Sequence, residues 1–163
     1  MKPRDPNTIE LGLDLPEPRY PTSFLKSGQA PPRLERIRIE NFKGIHGTTV
    51  EIPDFAILTG PNNSGKSTVL RAIAMAFECL RLCTDQNNWN LITAGRMLRE
   101  FEILQLNDSR DLWYGRRFQG KRQIPILLEL SFAGGVEVGF TIRWMYGAFS
   151  LKVERSSGLT PDI

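Results

Sequence analysis

No stretch of this 163-residue sequence approaches the run of about 18 apolar residues that a membrane-spanning helix needs. The first six residues combine charges and prolines, and they lack the apolar core of a secretory signal. Hydrophobic residues make up 40% of the chain, which is enough for a packed core. The composition therefore predicts about one domain, located in the cytoplasm and without a membrane partner.

Cysteine and histidine are scarce, with two cysteines and one histidine in the chain. Cys79 and Cys83 lie four residues apart on one face of a predicted helix, whereas His46 lies in a different predicted element. A structural zinc site needs about four such ligands. A disulfide is not expected inside one helix in a reducing compartment. We therefore interpret the two cysteines as small buried apolar side chains.

Prolines are concentrated at the N-terminus, because residues 1–32 hold seven of the eleven prolines in the chain. Each proline fixes φ and removes a backbone donor, so regular structure is not expected there. We interpret residues 1–32 as a proline-rich extended arm, which is either disordered or docked on a partner. Residues 33–163 then form the folded part.

A glycine-rich phosphate-binding loop occupies residues 60–68, with the sequence GPNNSGKST. It matches G-x-x-x-x-G-K-[ST] at every required position. The apolar residues 55–59 before it predict a buried strand, and the helix formers after it predict a helix to about Cys83. Strand, glycine loop and helix are the context that a phosphate-binding loop needs.

The loop predicts how a nucleotide polyphosphate and Mg²⁺ are held. The amides of residues 63–67 and the helix N-terminus surround the phosphates, and Gly60 and Gly65 let the backbone approach closely. Lys66, the predicted catalytic residue, reaches the β- and γ-phosphates, and Ser67 ligates Mg²⁺. The predicted cofactor-binding residues of the loop are Gly60, Asn62, Asn63, Ser64, Gly65, Lys66, Ser67 and Thr68.

The remaining pattern predicts mostly strands. Residues 34–40 and 48–52 alternate charged or polar with β-branched residues and precede the loop, which suggests an antiparallel pair beside the nucleotide site. Residues 94–106 predict a second helix. Residues 124–132, 136–145 and 148–154 predict an antiparallel meander, because Ala133-Gly134-Gly135 and Tyr146-Gly147 are short turns.

Residues 34–44 (LERIRIENFKG), followed by ILTGPNNSGKS at residues 57–67, resemble the N-terminus of the SMC/RecF/OLD-type ATPases. These are ABC-like P-loop ATPases of DNA repair, chromosome maintenance and phage defence, and Asn62-Asn63 leans toward the OLD-like members. The resemblance implies an α/β fold, namely an ABC-like N-terminal lobe with a mixed sheet and an antiparallel meander around the phosphate-loop helix. It also implies that Lys43 contacts the nucleotide near its base, and that the cofactors are ATP and Mg²⁺.

The Walker B strand with its catalytic glutamate, the glutamine loop and the signature helix of that family are not found in this sequence. We therefore expect hydrolysis only when a C-terminal lobe, from a longer parent or a second chain, completes the site, with a head-to-head dimer as the expected assembly. The Asn-Lys-x-Asp motif of GTPases is also absent, which disfavours a GTPase.

An alternative function is a nucleic-acid or protein-partner binding module whose phosphate loop is structural. The chain is mildly basic, with a formal net charge of +3, which permits an anionic partner. Residues 110–123 predict a loop with five basic residues, Trp113 and Tyr114, and that composition suits DNA. The competing interpretation of this loop is a solvated surface segment whose aromatics pack inward.

Overall fold

The computed structural model describes residues 32–84, 95–99, 101, 109–116 and 123–157. Nearly all of the predicted proline-rich arm lies outside the described residues. The elements are β1 (Leu34–Phe42), β2 (Ile45–Glu51), α1 (Lys66–Leu82), β3 (Arg96–Leu98), β4 (Ile126–Phe132), β5 (Val136–Met145) and β6 (Ala148–Ser157). Two short 3₁₀ turns, Ser109–Leu112 and Tyr114–Arg116, lie between β3 and β4.

The strands form one six-stranded sheet in the order β2-β1-β4-β5-β6-β3. The predicted meander is confirmed as β4, β5 and β6, and the predicted pair before the loop is confirmed as β1 and β2. The turn from β5 to β6 uses Tyr146 at φ 53° and Gly147 at φ 78°, which suits a tight hairpin with the right-handed twist of the strands.

The core lies between one face of the sheet and α1. On β1, Ile37 and Ile39 are fully buried, whereas Arg36 and Arg38 point to the other face and are exposed. This alternation is the period of two that a strand with one wet face produces. The ring of Phe77 on α1 meets Phe132 on β4 edge-on, with centroids 6.2 Å apart. The helix therefore packs against the centre of the sheet.

Helix α1 confirms the predicted helix and ends at Leu82, one residue before the predicted end. The Cys83 amide donates to the Cys79 carbonyl at 2.9 Å, and the Thr84 hydroxyl donates to the Leu80 carbonyl at 2.7 Å. These bonds satisfy carbonyls of the last turn, which would otherwise lack partners. Both cysteines are free and buried, as predicted.

The predicted second helix, over residues 94–106, is wrong. The predicted helix over residues 94–106 is not formed at Arg96–Leu98, which is instead edge strand β3, paired antiparallel with β6. Phe101 is buried and lies 5.1 Å from Phe149 of β6, ring centroid to centroid. The pairing of β3 and the packing of Phe101 therefore both attach this segment to β6, and these tertiary contacts override the local helix pattern.

The predicted buried strand at residues 55–59 is also absent from the sheet. Phe55 is 78% exposed and Ile57 is 70% exposed. Among the described residues all strand pairs are antiparallel, so the predicted mixed sheet is not observed. Both differences from the prediction have one cause. Residues 55–59 have no neighbouring strand in the described part of the chain with which to pair, so they form neither a strand nor the parallel pair of a mixed sheet.

Candidate functional site

The phosphate-binding loop joins the end of the β1–β2 hairpin to the start of α1. Gly60 has φ 144°, Asn63 has φ 65° and Gly65 has φ 92°, so the backbone passes three times through conformations that most side chains avoid. A Cβ added at Gly60 would come within 3.1 Å of the Ser64 hydroxyl oxygen. Glycine and asparagine therefore stand where the loop conformation requires them.

The Lys66 side chain folds back over the loop. Its ammonium donates to the carbonyl oxygens of Gly60 and Pro61, each at 2.7 Å, and lies 3.4 Å from the Ser64 hydroxyl oxygen. An ammonium has three donors and no acceptor, so these contacts fix a positive charge at the centre of the loop. That position is where an anionic chain lying across the loop would meet it.

The first turn of α1 adds backbone donors to the same place. Gly65 is the N-cap residue, so no side chain caps the helix, and its carbonyl accepts from the Val69 amide at 2.9 Å. The first turn carries no acidic residue that would neutralise the positive end of the helix dipole. Ser67 is exposed in this turn. The arrangement suits an anion held by backbone N–H groups.

The loop and α1 border an open cavity of about 820 Å³. Its walls include seven of the predicted binding residues, from Asn62 to Thr68. Three further residues line it that the sequence analysis did not assign, namely Gly44, Ile45 and Arg71. Arg71 could have been found from its spacing, because it follows Ser67 by four residues on a helix and so shares its face.

Two predicted residues, Gly60 and Lys43, do not line the cavity. Lys43 sits in the β1–β2 turn at φ 50°, and its amide donates to the Leu112 carbonyl at 2.8 Å. Partial burial lowers the pKa of its ammonium, and the positive charge of Arg71 lowers this pKa further, while Asp111 acts in the opposite direction. Lys43 is thus close enough to the cavity for the charge of Arg71 to act on it. Its contact with the base stays a prediction.

The two aromatic residues of the predicted basic loop, Trp113 and Tyr114, do not form a base-stacking surface. Trp113 is 2% exposed, lies parallel to Phe149 with ring centroids 6.0 Å apart, and bridges to Phe42 of β1. Tyr114 is half-exposed and meets His46 edge-on. Trp113 therefore belongs to the core, which agrees with the inward-packed interpretation. Residues 117–122 lie outside the described residues.

Mg²⁺ and ATP fit the residues that the site provides. No group of three or more His, Cys, Asp or Glu side chains in the described residues could hold a metal by itself. A magnesium ion bound through one protein hydroxyl and phosphate oxygens needs no such group, and Ser67 offers that hydroxyl. The positive-φ loop, the Lys66 ammonium and the uncapped first turn match a polyphosphate.

Comparison with known proteins agrees with this geometry. A family profile described as the AAA ATPase domain matches residues 33–107, which include the β1–β2 hairpin, the loop and α1. A chromosome partition protein Smc from Synechocystis sp. is 40% identical over 55 residues. Both matches support an SMC/RecF-type AAA P-loop ATPase fragment in this part of the chain. The resemblance read from residues 34–67 is thereby confirmed at the level of SMC/RecF-type P-loop ATPases.

The match to the Synechocystis protein covers a limited part of each chain. The aligned stretch is 32% of this chain and 4% of the Synechocystis protein, so the chain spans a small fraction of the curated relative that it matches. Among the described residues, no helix is both long and apolar enough to cross a membrane.

Proposed function

We propose that this chain binds ATP together with Mg²⁺ at the loop of residues 60–68. The observation that carries the proposal is the loop conformation, in which three positive-φ residues bring the backbone and the Lys66 ammonium around one centre beside an uncapped helix. The match to an AAA ATPase domain supports it independently. The preference for adenine over guanine rests on the family resemblance, because the loop reads phosphates.

Each residue has a defined part in this proposal. The amides of residues 63–67 donate to phosphate oxygens, and Lys66 exchanges its two carbonyl partners for the β- and γ-phosphates. Ser67 holds Mg²⁺, which neutralises part of the charge that develops during phosphoryl transfer. Thr68 donates to the α-phosphate. The nine-residue loop thus binds and orients the substrate.

Hydrolysis in this proposal requires a second component. Phosphoryl transfer depends on positioning and charge stabilisation, and this sequence supplies no Walker B carboxylate. Directly before the loop, the apolar side chains of Phe55, Ile57 and Leu58 are exposed. Their exposure supports the proposal that another lobe or chain packs on them. A C-terminal lobe from a longer parent, or a second chain, would cover them and pair with residues 55–59 by strand addition. Self-association of two such sites is part of the proposal.

The process that the complete ATPase serves is proposed from the resemblance alone. The similarity to a chromosome partition protein favours DNA maintenance, and the family resemblance adds DNA repair and phage defence. All three are consistent with the predicted cytoplasmic location. DNA binding by this chain would have to use surfaces other than Trp113, because that ring is buried.

Equilibrium binding of ATP with Mg²⁺ to the wild type, Lys66→Ala and Lys152→Ala tests nucleotide binding. Lys152 is the matched control, because it is an exposed lysine on β6 that pairs with Glu154 at 3.5 Å. A hydrogen bond to a charged group contributes about 1.5–3 kcal/mol. We therefore expect Lys66→Ala to weaken binding about 10- to 100-fold, and Lys152→Ala to leave it unchanged.

Equal affinities of the wild type and Lys66→Ala would contradict the proposal. They would favour the alternative, in which the loop is structural and the chain is a nucleic-acid or partner-binding module. A salt-dependent DNA complex that survives Lys66→Ala and is lost in the double variant Arg116→Ala, Arg117→Ala would establish that alternative.

A further inference from the structure

Arg71 is a cation at the nucleotide cavity that the phosphate-binding motif does not include. It is exposed, lines the cavity and follows Ser67 by one helical turn on the same face of α1. In the described part of the chain, no side chain or carbonyl forms a hydrogen bond or ion pair with it. Arg81 on the same helix differs, because its guanidinium lies 4.0 Å from the buried Glu78 carboxylate.

Another part of the cavity wall comes from the β1–β2 hairpin, through Gly44 in the turn and Ile45 at the start of β2. The neighbouring Lys43 ammonium has its pKa lowered by the charge of Arg71, which agrees with the turn and α1 approaching each other here. At a rise of 1.5 Å per residue, Arg71 lies about 6 Å further along α1 than Ser67. The cavity thus extends from the phosphate-binding loop along α1 as far as Arg71.

We propose that the Arg71 guanidinium contacts the nucleoside end of the bound ATP, by lying against the face of the purine base. This inference rests on the proposed function. The loop amides and Lys66 take the phosphates, so the part of the ligand that remains for the wall formed by Arg71, Gly44 and Ile45 is the nucleoside. A guanidinium is planar and always charged, and it stacks on aromatic faces, which an ammonium does with poorer geometry.

The test compares ATP with inorganic tripolyphosphate, which has the phosphates without the nucleoside, at fixed salt and Mg²⁺. The variants are Arg71→Ala, Arg71→Lys and Lys66→Ala. Arg143→Ala is the control for loss of an exposed arginine, because Arg143 lies on β5 and outside the cavity. Circular dichroism verifies that each variant is folded.

We expect Arg71→Ala to weaken ATP binding about 3- to 30-fold, the range of a cation–π contact, and to leave tripolyphosphate binding unchanged. Arg71→Lys should resemble Arg71→Ala, whereas Lys66→Ala should weaken both ligands. Equal weakening of the two ligands by Arg71→Ala, an unchanged ATP affinity, or full rescue by lysine would overturn the inference alone. Absence of ATP binding by the wild type would overturn both this inference and the proposed function.

Discussion

Replacing Trp113 by alanine tests whether the segment of residues 109–116 is part of the core. Trp113 is 2% exposed, stacks on Phe149 and forms a bridge with Phe42, and the adjacent Leu112 carbonyl accepts from the Lys43 amide at 2.8 Å. These contacts hold the β1–β2 turn that forms one wall of the cavity. The tryptophan therefore stabilises the sheet and this wall of the cavity together.

The expected cost is large. Truncating a buried tryptophan to alanine lowers the free energy of unfolding by about 3–5 kcal/mol, which for a chain of this size lowers the Tm by about 6–20 °C. The assay is thermal and urea unfolding followed by circular dichroism. Tyr114→Ala is the matched control, because this neighbouring ring is half-exposed, and we expect it to cost about 1 kcal/mol or less.

A Trp113→Ala variant that unfolds like the wild type would refute this reasoning. It would mean that the indole ring is accessible, and the segment would again be a candidate for stacking on nucleic-acid bases. A loss equal to that of Tyr114→Ala would lead to the same conclusion.

Three further predictions concern pH, the loop and the exposed segment. Burial raises the pKa of the Cys83 thiol to about 11 from its ordinary 9.0, so the unfolded chain ionises this thiol before the folded chain does. As pH rises from 9 to 11, the free energy of unfolding, measured with urea, should therefore fall by at most about 3 kcal/mol more in the wild type than in Cys83→Ala. An equal fall in both proteins would contradict this. Gly65→Ala should lower the free energy of unfolding by about 1–2 kcal/mol, because Gly65 has a positive φ, and it should weaken ATP binding. Gly47→Ala is the control and should leave ATP binding unchanged, because a Cβ added at Gly47 has no atom within 4 Å. Ile57→Ser should change the free energy of unfolding by less than about 0.5 kcal/mol and should reduce self-association in sedimentation experiments; a larger loss of stability would mean that Ile57 is buried in the chain itself.

The sequence predicted those elements whose pattern is local. The β5 bounds agree with the predicted residues 136–145, because Gly134-Gly135 and Tyr146-Gly147 specify tight turns at both ends. Helix α1 was predictable for the same reason, since the loop motif sets its start. The residues from Asn62 to Thr68, which line the cavity, were predicted because the motif assigns them by spacing, and their contacts with nucleotide stay a prediction.

The errors arose where distant contacts decide the structure. Arg96–Leu98 has a helix-like composition, but it pairs with β6, some 50 residues further along the chain, and no local pattern specifies that pairing. Residues 55–59 have a strand-like composition without a partner strand in the described residues. Trp113 could not be assigned to the core from sequence, because its burial depends on Phe42 and Phe149. Arg71 was missed because the motif ends before it.

The central claim is that the backbone amides of the loop surround the phosphates of ATP. The most direct measurement is a ¹⁵N-resolved NMR titration of the chain with MgATP, with Lys66→Ala as the comparison. We expect the largest shifts on the amides of residues 63–68 and smaller shifts at Gly44 and Ile45, and we expect Lys66→Ala to need at least about tenfold more ATP to reach them. Shifts confined to residues outside the loop, or no shifts at millimolar MgATP, would contradict it.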